Sequence, residues 1–222
     1  MARIIAIIQA RLKSTRLPGK VLLDLAGKPM LDHLIERACE IPGITEVVLN
    51  VPATDTELMR GTVCAYLIPN QEQDVLGSYL YIARSMRADV IVRLTGDCPF
   101  LDPQVAGQVV ALVADGHAAY ATNDNSVTDW ADGLDAQAFT IAALEAAAQY
   151  ATGTDREHVC PWMAANRLTR ALTAPLAMRH LKWSVDTAKD LDLARRMMGH
   201  LVPRAFSWRA TLGAWELAMG DQ

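Results

Sequence analysis

The 222-residue chain contains no apolar run near the ~20 residues that a membrane-crossing helix needs. Its opening stretch, Met1 to Gln9, is apolar, but it lacks a small-x-small cleavage site and runs straight into a basic loop. It therefore reads as a buried strand rather than a secretion signal. Cys39, Cys64, Cys98 and Cys160 form no Cys-x-x-Cys pair, which fits the reduced thiols of a cytoplasmic protein. The histidines supply neither His-x-His nor His-Glu-x-x-His, so no zinc site is expected. Positive charge is not in excess either: 21 Lys and Arg face 25 Asp and Glu, a net charge of −4. A chain that coats nucleic acid would show the opposite balance. Walker A and Gly-x-Gly-x-x-Gly motifs are missing, as are internal repeats, low-complexity tracts and linkers.

What is present is an ordinary globular composition, with 51% hydrophobic and 21% charged residues, in a chain long enough to bury a core without staples. Residues 3–9 are continuously apolar, as a parallel strand covered on both faces would be. Residues 10–28 make a loop rich in Gly, Pro and cations. Met30, Leu31, Leu34, Ile35, Ala38 and Cys39 have helical spacing, stopped by Pro42-Gly43. Further strands are expected at 46–51, 64–68 and 89–94. Helices are expected at 75–86 and 103–115, the second capped by Asp102. This alternation implies right-handed βαβ units and a parallel sheet. Past residue 118 the pattern loosens. Strands are expected at 118–121, 136–140 and 181–185, and helices at 141–151, 155–166 (broken near Pro161), 190–201 and 211–219. The polar stretch 122–135 carries an Asp132-Gly133 turn signal. One α/β domain over residues 1–222 is expected, with 120–140 as an inserted lobe or arm.

The segment Gln9 to Lys20 carries the most chemistry. Arg11, Lys13, Arg16 and Lys20 place four of the 21 cations within ten residues of an acidic chain. They follow the first strand directly, where open α/β sheets bind their ligands. Ser14, Thr15 and the backbone amides can donate to phosphate oxygens; Arg grips phosphate with a fork and Lys with a point charge. Pro18-Gly19 fixes the backbone ahead of Lys20. A solvated surface loop would not need this combination, so the segment reads as a phosphate-binding site.

Ala-Arg-x-x-Ser-Thr-Arg-Leu-Pro-Gly-Lys at 10–20 closely resembles the sugar-activating cytidylyltransferases. It is most similar to the spore coat polysaccharide biosynthesis protein F branch, whose relatives charge 3-deoxy-manno-octulosonate and sialic acids with CMP. Matching blocks follow in family order at 21–31, 74–77 (Asp-Val-Leu-Gly), 93–100 (Arg-Leu-Thr-Gly-Asp-Cys-Pro-Phe), 132–135 (Asp-Gly-Leu-Asp), 156–159 (Arg-Glu-His-Val) and 183–187 (Trp-Ser-Val-Asp-Thr). The resemblance covers about residues 3–200. It implies a three-layer Rossmann-like nucleotidyltransferase fold with a mainly parallel central sheet, and the reaction CTP + sugar → CMP-sugar + pyrophosphate. The implied cofactor is Mg2+ and the implied acceptor an acidic sugar for surface polysaccharide. A cytoplasmic homodimer built through the middle lobe is also implied, with no nucleic-acid partner and no membrane insertion.

Residue by residue, the resemblance implies catalytic roles for Arg11, Lys20 and Asp97. Ala10, Arg11, Ser14, Thr15, Arg16, Lys20, Asp74, Gly96 and Asp97 are expected at the nucleotide, and Asp97 and Asp186 at the metal. Asp132, Asp135, Arg156, Glu157 and His158 are expected around the sugar, with Arg156 on its carboxylate and His158 at a hydroxyl. Plainer readings stand beside these: a turn cap for Asp97, a helix N-cap for Asp186, a turn for Asp132, helix decoration for Glu157 and His158. Trp130, Trp162 and Trp183 belong either to the sugar pocket or to the core. Asp190 and Asp192 are expected on a helix surface, because positions two apart point in different directions. One departure stands out: relatives often have Arg where this chain has Ser78, which removes a cation near the nucleotide. A glycosyltransferase of related sheet and a non-catalytic nucleotide-binding subunit are the competing readings.

Overall fold

The computed structural model describes residues 2–59, 63–69, 72 and 74–220. Ile4–Gln9 forms β1, and Ile5, Ala6, Ile7 and Ile8 are fully buried because helices cover both of its faces. The remaining strands are β2 (Asp24–Leu25), β3 (Lys28–Pro29), β4 (Glu46–Pro52), β5 (Cys64–Ile68), β6 (Val90–Thr95), β7 (Tyr120–Thr122), β8 (Gln137–Thr140) and β9 (Thr169–Ala171). The helices are α1 (Met30–Cys39), α2 (Val75–Ser85), α3 (Pro103–Ala114), α4 (Ile141–Tyr150), α5 (Thr154–His158), α6 (Pro161–Asn166), α7 (Ala188–His200) and α8 (Trp208–Gly220). The main sheet has seven strands in the order β5-β4-β1-β6-β8-β7-β9. β5, β4, β1 and β6 run parallel to their neighbours; β8 is antiparallel to both β6 and β7, and β9 is parallel to β7. The sheet is thus mostly parallel, as expected.

Side chains alternate across β1 and build two cores. Ile4, Ala6 and Ile8 face Leu31 and Leu34 of α1, Val105 and Val109 of α3, and residues of α7 and α8. Ile5 and Ile7 face Tyr79 and Ile82 of α2, Leu144 of α4 and Met163 of α6. Three layers result. From β1 the chain builds outward to β4 and β5, then returns to place β6 on the other side. The strand order reverses at β1, so the carboxyl ends of β1 and β6 open onto a crevice.

Three expectations need correction. Residues 181–185 are largely buried but are not a sheet strand; Lys182 makes only an isolated bridge to Asp132, and the chain bends at Ser184. The Trp183 amide donates to the Asp132 carbonyl (2.7 Å) and the Val185 amide to the Asp97 carbonyl (2.9 Å). Loops satisfy this backbone, so the alternating pattern is genuine but its pairing partners are not strands. The single helix read over 155–166 is two helices. Val159 has φ +70° between them, and Pro161 starts α6 without an amide to donate. The excursion from the sheet is narrower than 120–140: β7 and β8 are sheet strands, and only 123–136 joins them outside it. The short strand β9 and the two-residue β2–β3 hairpin had no clear sequence signal.

Asp102 caps α3 as expected, accepting from the amides of Gln104 (2.7 Å) and Val105 (3.2 Å). Its other oxygen accepts from the Trp208 amide at 2.8 Å and so ties α8 to the loop that leaves β6. Asp102→Ala should lose the cap and strand a buried donor, at a cost of about 3 kcal/mol. Urea unfolding with unchanged slope and a lower midpoint is the expected result; an unaltered midpoint would show that α8 is held by packing alone.

Candidate active site

The basic loop leaves β1 and folds back on itself. The Leu12 amide donates to buried Asp55 (2.7 Å), and the Gly19 amide donates to the Leu12 carbonyl (2.9 Å). Gly19 has φ +68°, a conformation that glycine adopts without cost, and it turns the chain into the short 3-10 turn Lys20–Leu22. That turn aims Lys20 back at the sheet. Gly96, just past β6, lies against the end of β1; a Cβ there would stand 3.1 Å from the Gln9 carbonyl oxygen and 3.2 Å from the Ala10 Cβ. Small residues at 10 and 96 therefore let the two strand ends meet beneath a cavity of about 420 Å3. Ala10, Arg11, Ser14, Thr15, Arg16, Lys20, Gly96, Asp97 and Asp186 all line it.

Lys20 is the centre of this cavity. Its Nζ lies 2.8 Å from Asp97 Oδ2, 2.9 Å from Asp186 Oδ1 and 2.9 Å from the Val185 carbonyl oxygen. Arg16 reaches the same Asp186 oxygen at 2.8 Å, and Lys182 reaches the other at 3.0 Å. Burial works to raise the Asp186 pKa, but hydrogen bonds from Lys20 and Lys182 and their charge outweigh it and hold the carboxyl at about 2. Burial likewise works to lower the Lys20 pKa, and the two carboxylates reverse the outcome and raise it. Asp186 is not the helix cap. Thr187 takes that place in a capping box with Asp190, whose carboxylate also accepts from the Asp186 amide (3.0 Å). The Asp186 side chain is thereby left to face Lys20. Asp190 is engaged at this cap, while Asp192 is exposed.

Asp97 and Asp186 offer hard oxygen donors that converge on one ammonium at the edge of an open cavity. Among the described residues no group of three or more His, Cys, Asp and Glu could hold a metal. Two carboxylates with phosphate oxygens and waters completing the shell is the pattern by which Mg2+ is held, so the residues fit such an ion.

The sugar-side set is divided. Asp132 accepts from Ser184 Oγ (2.8 Å), and its backbone clamps the strip 181–183 that leads to Asp186. Burial raises its pKa, helped by Asp97 and Asp186. Asp135 is spent locally: its oxygens accept from the Gly133 (2.9 Å) and Asn125 (3.2 Å) amides, and burial pushes its pKa up to about 7. Arg156 pairs with Asp74 (2.8 Å) and donates to the Ala148 carbonyl (2.9 Å). Asp74 caps α2 by accepting from the Gly77 amide (2.9 Å). Asp74, Asp132, Asp135, Arg156, Glu157 and His158 do not line the cavity. Trp130 and Trp183 are core, and Trp162 stacks on Tyr150. Ser78 is buried, accepting from Asn50 Nδ2 at 2.7 Å. Residues that sequence reasoning passed over are Arg93 and Gln9, which line the cavity, and Asp55 and Lys182, which hold its walls. Arg93 stood inside a recognised block, and its position two residues before Thr95 on the same strand face was the available signal.

Residues 5–191 match the model of the cytidylyltransferase family. The chain is 30% identical to a 3-deoxy-manno-octulosonate cytidylyltransferase of Idiomarina loihiensis, over 84% of this chain and 81% of that protein. With the Escherichia coli protein of the same name the match, 34% identical, spans only 43% of that protein. A solved cytidylyltransferase structure from Leptospira borgpetersenii superposes with a TM-score of 0.87 at 25% identity, over all of this chain and 95% of that one. The structure of a CMP:2-keto-3-deoxy-manno-octonic acid synthetase complexed with CTP shares the fold, with a TM-score of 0.67 at 20% identity over 89% of this chain and 99% of the other. The chain belongs to the cytidylyltransferase family and is a nucleotidyltransferase.

The Asp186 pKa of about 2 lies below the ordinary value of 3.8. The stability it contributes is therefore complete above about pH 4 and is lost as the pH falls towards 2. At pH 6, Asp186→Asn should cost about 1–2 kcal/mol after solvent screening. Urea unfolding at several pH values should show this difference closing between about pH 4 and pH 2. A difference that stays constant across that range would contradict the ion-pair assignment.

Proposed function

We propose that this protein transfers CMP from CTP to a hydroxyl of an acidic sugar and releases pyrophosphate, with Mg2+ as cofactor, to supply surface polysaccharide synthesis. The observation that carries the reading is the convergence of Lys20, Asp97, Asp186 and Arg16 on one cavity at the carboxyl ends of β1 and β6. The names of its relatives support a CTP substrate and a sugar acceptor. As the family resemblance suggests, the protein is taken to work in the cytoplasm as a homodimer built through the 123–136 segment, where Val127 is exposed. No described helix is long and apolar enough to cross a membrane.

In this reading the triphosphate lies along the loop, where Ser14, Thr15 and nearby amides donate to its oxygens. Arg11, Arg16 and Lys20 offset its charge and that of the departing pyrophosphate. Lys20 and Arg16 exchange carboxylate partners for phosphate oxygens, which leaves Asp97 and Asp186 free to hold the cation. Mg2+, when bound, supplies charge neutralisation on the phosphates. The sugar hydroxyl attacks the α-phosphorus in line with the leaving pyrophosphate, a step that needs positioning and electrostatics rather than covalent help. Asp132, near enough to Asp97 and Asp186 to feel their charge, is the group assigned to accept the proton that the attacking hydroxyl loses. Arg156 is left out of the acceptor set because Asp74 and backbone carbonyls already engage its guanidinium.

Pyrophosphate release from CTP and Mg2+ with a panel of acidic sugars tests the assignment. Asp97→Asn and Lys20→Met should each lower the rate by about 10²–10³, with Asp97→Asn still folded. Full activity in either variant would overturn the role assigned to that residue. Transfer from a nucleotide sugar, without pyrophosphate from CTP, would make the protein a glycosyltransferase.

A further inference from the structure

Arg93 is a cation that lines the cavity and has no part in the phosphate and metal chemistry. The other cations there are either neutralised or in solvent. Lys20 faces Asp97 and Asp186, Arg16 faces Asp186, Arg11 reaches Glu72 at 3.5 Å, and Lys13 is exposed. Arg93 differs from all of them. It is largely buried on β6, and only neutral groups hold its guanidinium. Nη1 donates to Gln137 Oε1 at 2.7 Å and Nη2 approaches Gln9 Oε1 at 3.5 Å, while the nearby Tyr79 hydroxyl donates to the Ile7 carbonyl at 3.4 Å. Its buried Nε has no partner. Among the described residues no carboxylate forms an ion pair with it, and Asp97 reaches its charge only through space.

A guanidinium stays charged even when buried, and a buried charge without a counter-ion is costly. Gln9 and Gln137 come from the strands on either side of β6; their amide oxygens orient the fork without reducing its charge. Such a group is completed by an anion entering the cavity. In the proposed reading the triphosphate already has the cations and amides of the loop 10–20. Arg93 lies instead on the strand that leads to Asp97 and borders β8, the side from which the Asp132 loop approaches. The planar fork matches a carboxylate with two parallel bonds. Resting on the cytidylyltransferase reading, we infer that Arg93 receives the carboxylate of the acceptor, the role that sequence reasoning gave to Arg156. The acceptor is then a sugar acid and not a neutral sugar, and because the same fork also fits phosphate, the phosphorylated sugar in the test separates the two anions.

The test pairs calorimetric CTP binding with pyrophosphate release. The enzymes are wild type, Arg93→Met and Arg93→Lys. The acceptors are 3-deoxy-manno-octulosonate and N-acetylneuraminate as carboxylated sugars, N-acetylmannosamine as a neutral one and glucose 1-phosphate as a phosphorylated one. Wild type should use a carboxylated sugar. Arg93→Met should raise its KM at least about 30-fold while the CTP Kd stays within about threefold, a difference below 1 kcal/mol. Should Arg93→Met fail to fold, Arg93→Lys carries the test: charge kept and fork lost, it should keep CTP affinity and still raise the sugar KM. An unchanged sugar KM in a folded variant overturns the inference, as does an equal loss of CTP affinity. Use of only the neutral or phosphorylated sugar overturns it while leaving the cytidylyltransferase standing. No pyrophosphate from CTP with any acceptor removes the underlying reading as well.

Discussion

Lys20 joins two carboxylates that come from distant parts of the chain. Asp97 comes from the end of β6 and Asp186 from the strip before α7, and a single ammonium lies within 2.9 Å of both. Like charges at such close quarters repel, and the ammonium between them offsets that repulsion and keeps both aimed at one cavity. On the function proposed above, an incoming triphosphate would offer Lys20 other acceptors, and the carboxylates would then be free to take a cation.

The fold supplies what the lysine needs. Reversal of strand order at β1 opens the crevice, and the small residues Ala10 and Gly96 keep it shallow enough for backbone to reach a ligand. On one side, Asp55 and the Leu12 carbonyl close the loop so that Lys20 points inward. On the other, the Asp132 carbonyl and the Asp97 carbonyl take the amides of Trp183 and Val185, which brings Asp186 to the same place. The Asp97 peptide thus anchors its carboxylate partner through the backbone while its side chain meets Lys20.

The early elements were legible because their apolar spacing is strong: β1, β4, β5, α1, α2, α3 and β6 fall within a residue or two of their expected bounds. The loop's place at the cavity was legible because cations, hydroxyls and Pro-Gly sit together after a strand. The errors have physical sources. Alternation at 181–185 signals burial, which loops satisfied in place of a strand. Arg156 looked like a free cation, but sequence shows no partner 82 positions away, and Asp74 is that partner. Arg93 was passed over among its apolar neighbours in β6; the cavity at that strand's end is what singles it out.

Triphosphate and cation must share one destination for this chemistry to work. A crystal of the protein soaked with CTP and Mn2+, with anomalous data collected for manganese, addresses this directly. The expected result is a manganese peak bonded to Asp97 and Asp186, with the Lys20 ammonium moved onto a phosphate oxygen. CTP bound with Lys20 still clasping both aspartates, or manganese seated away from them, would contradict it.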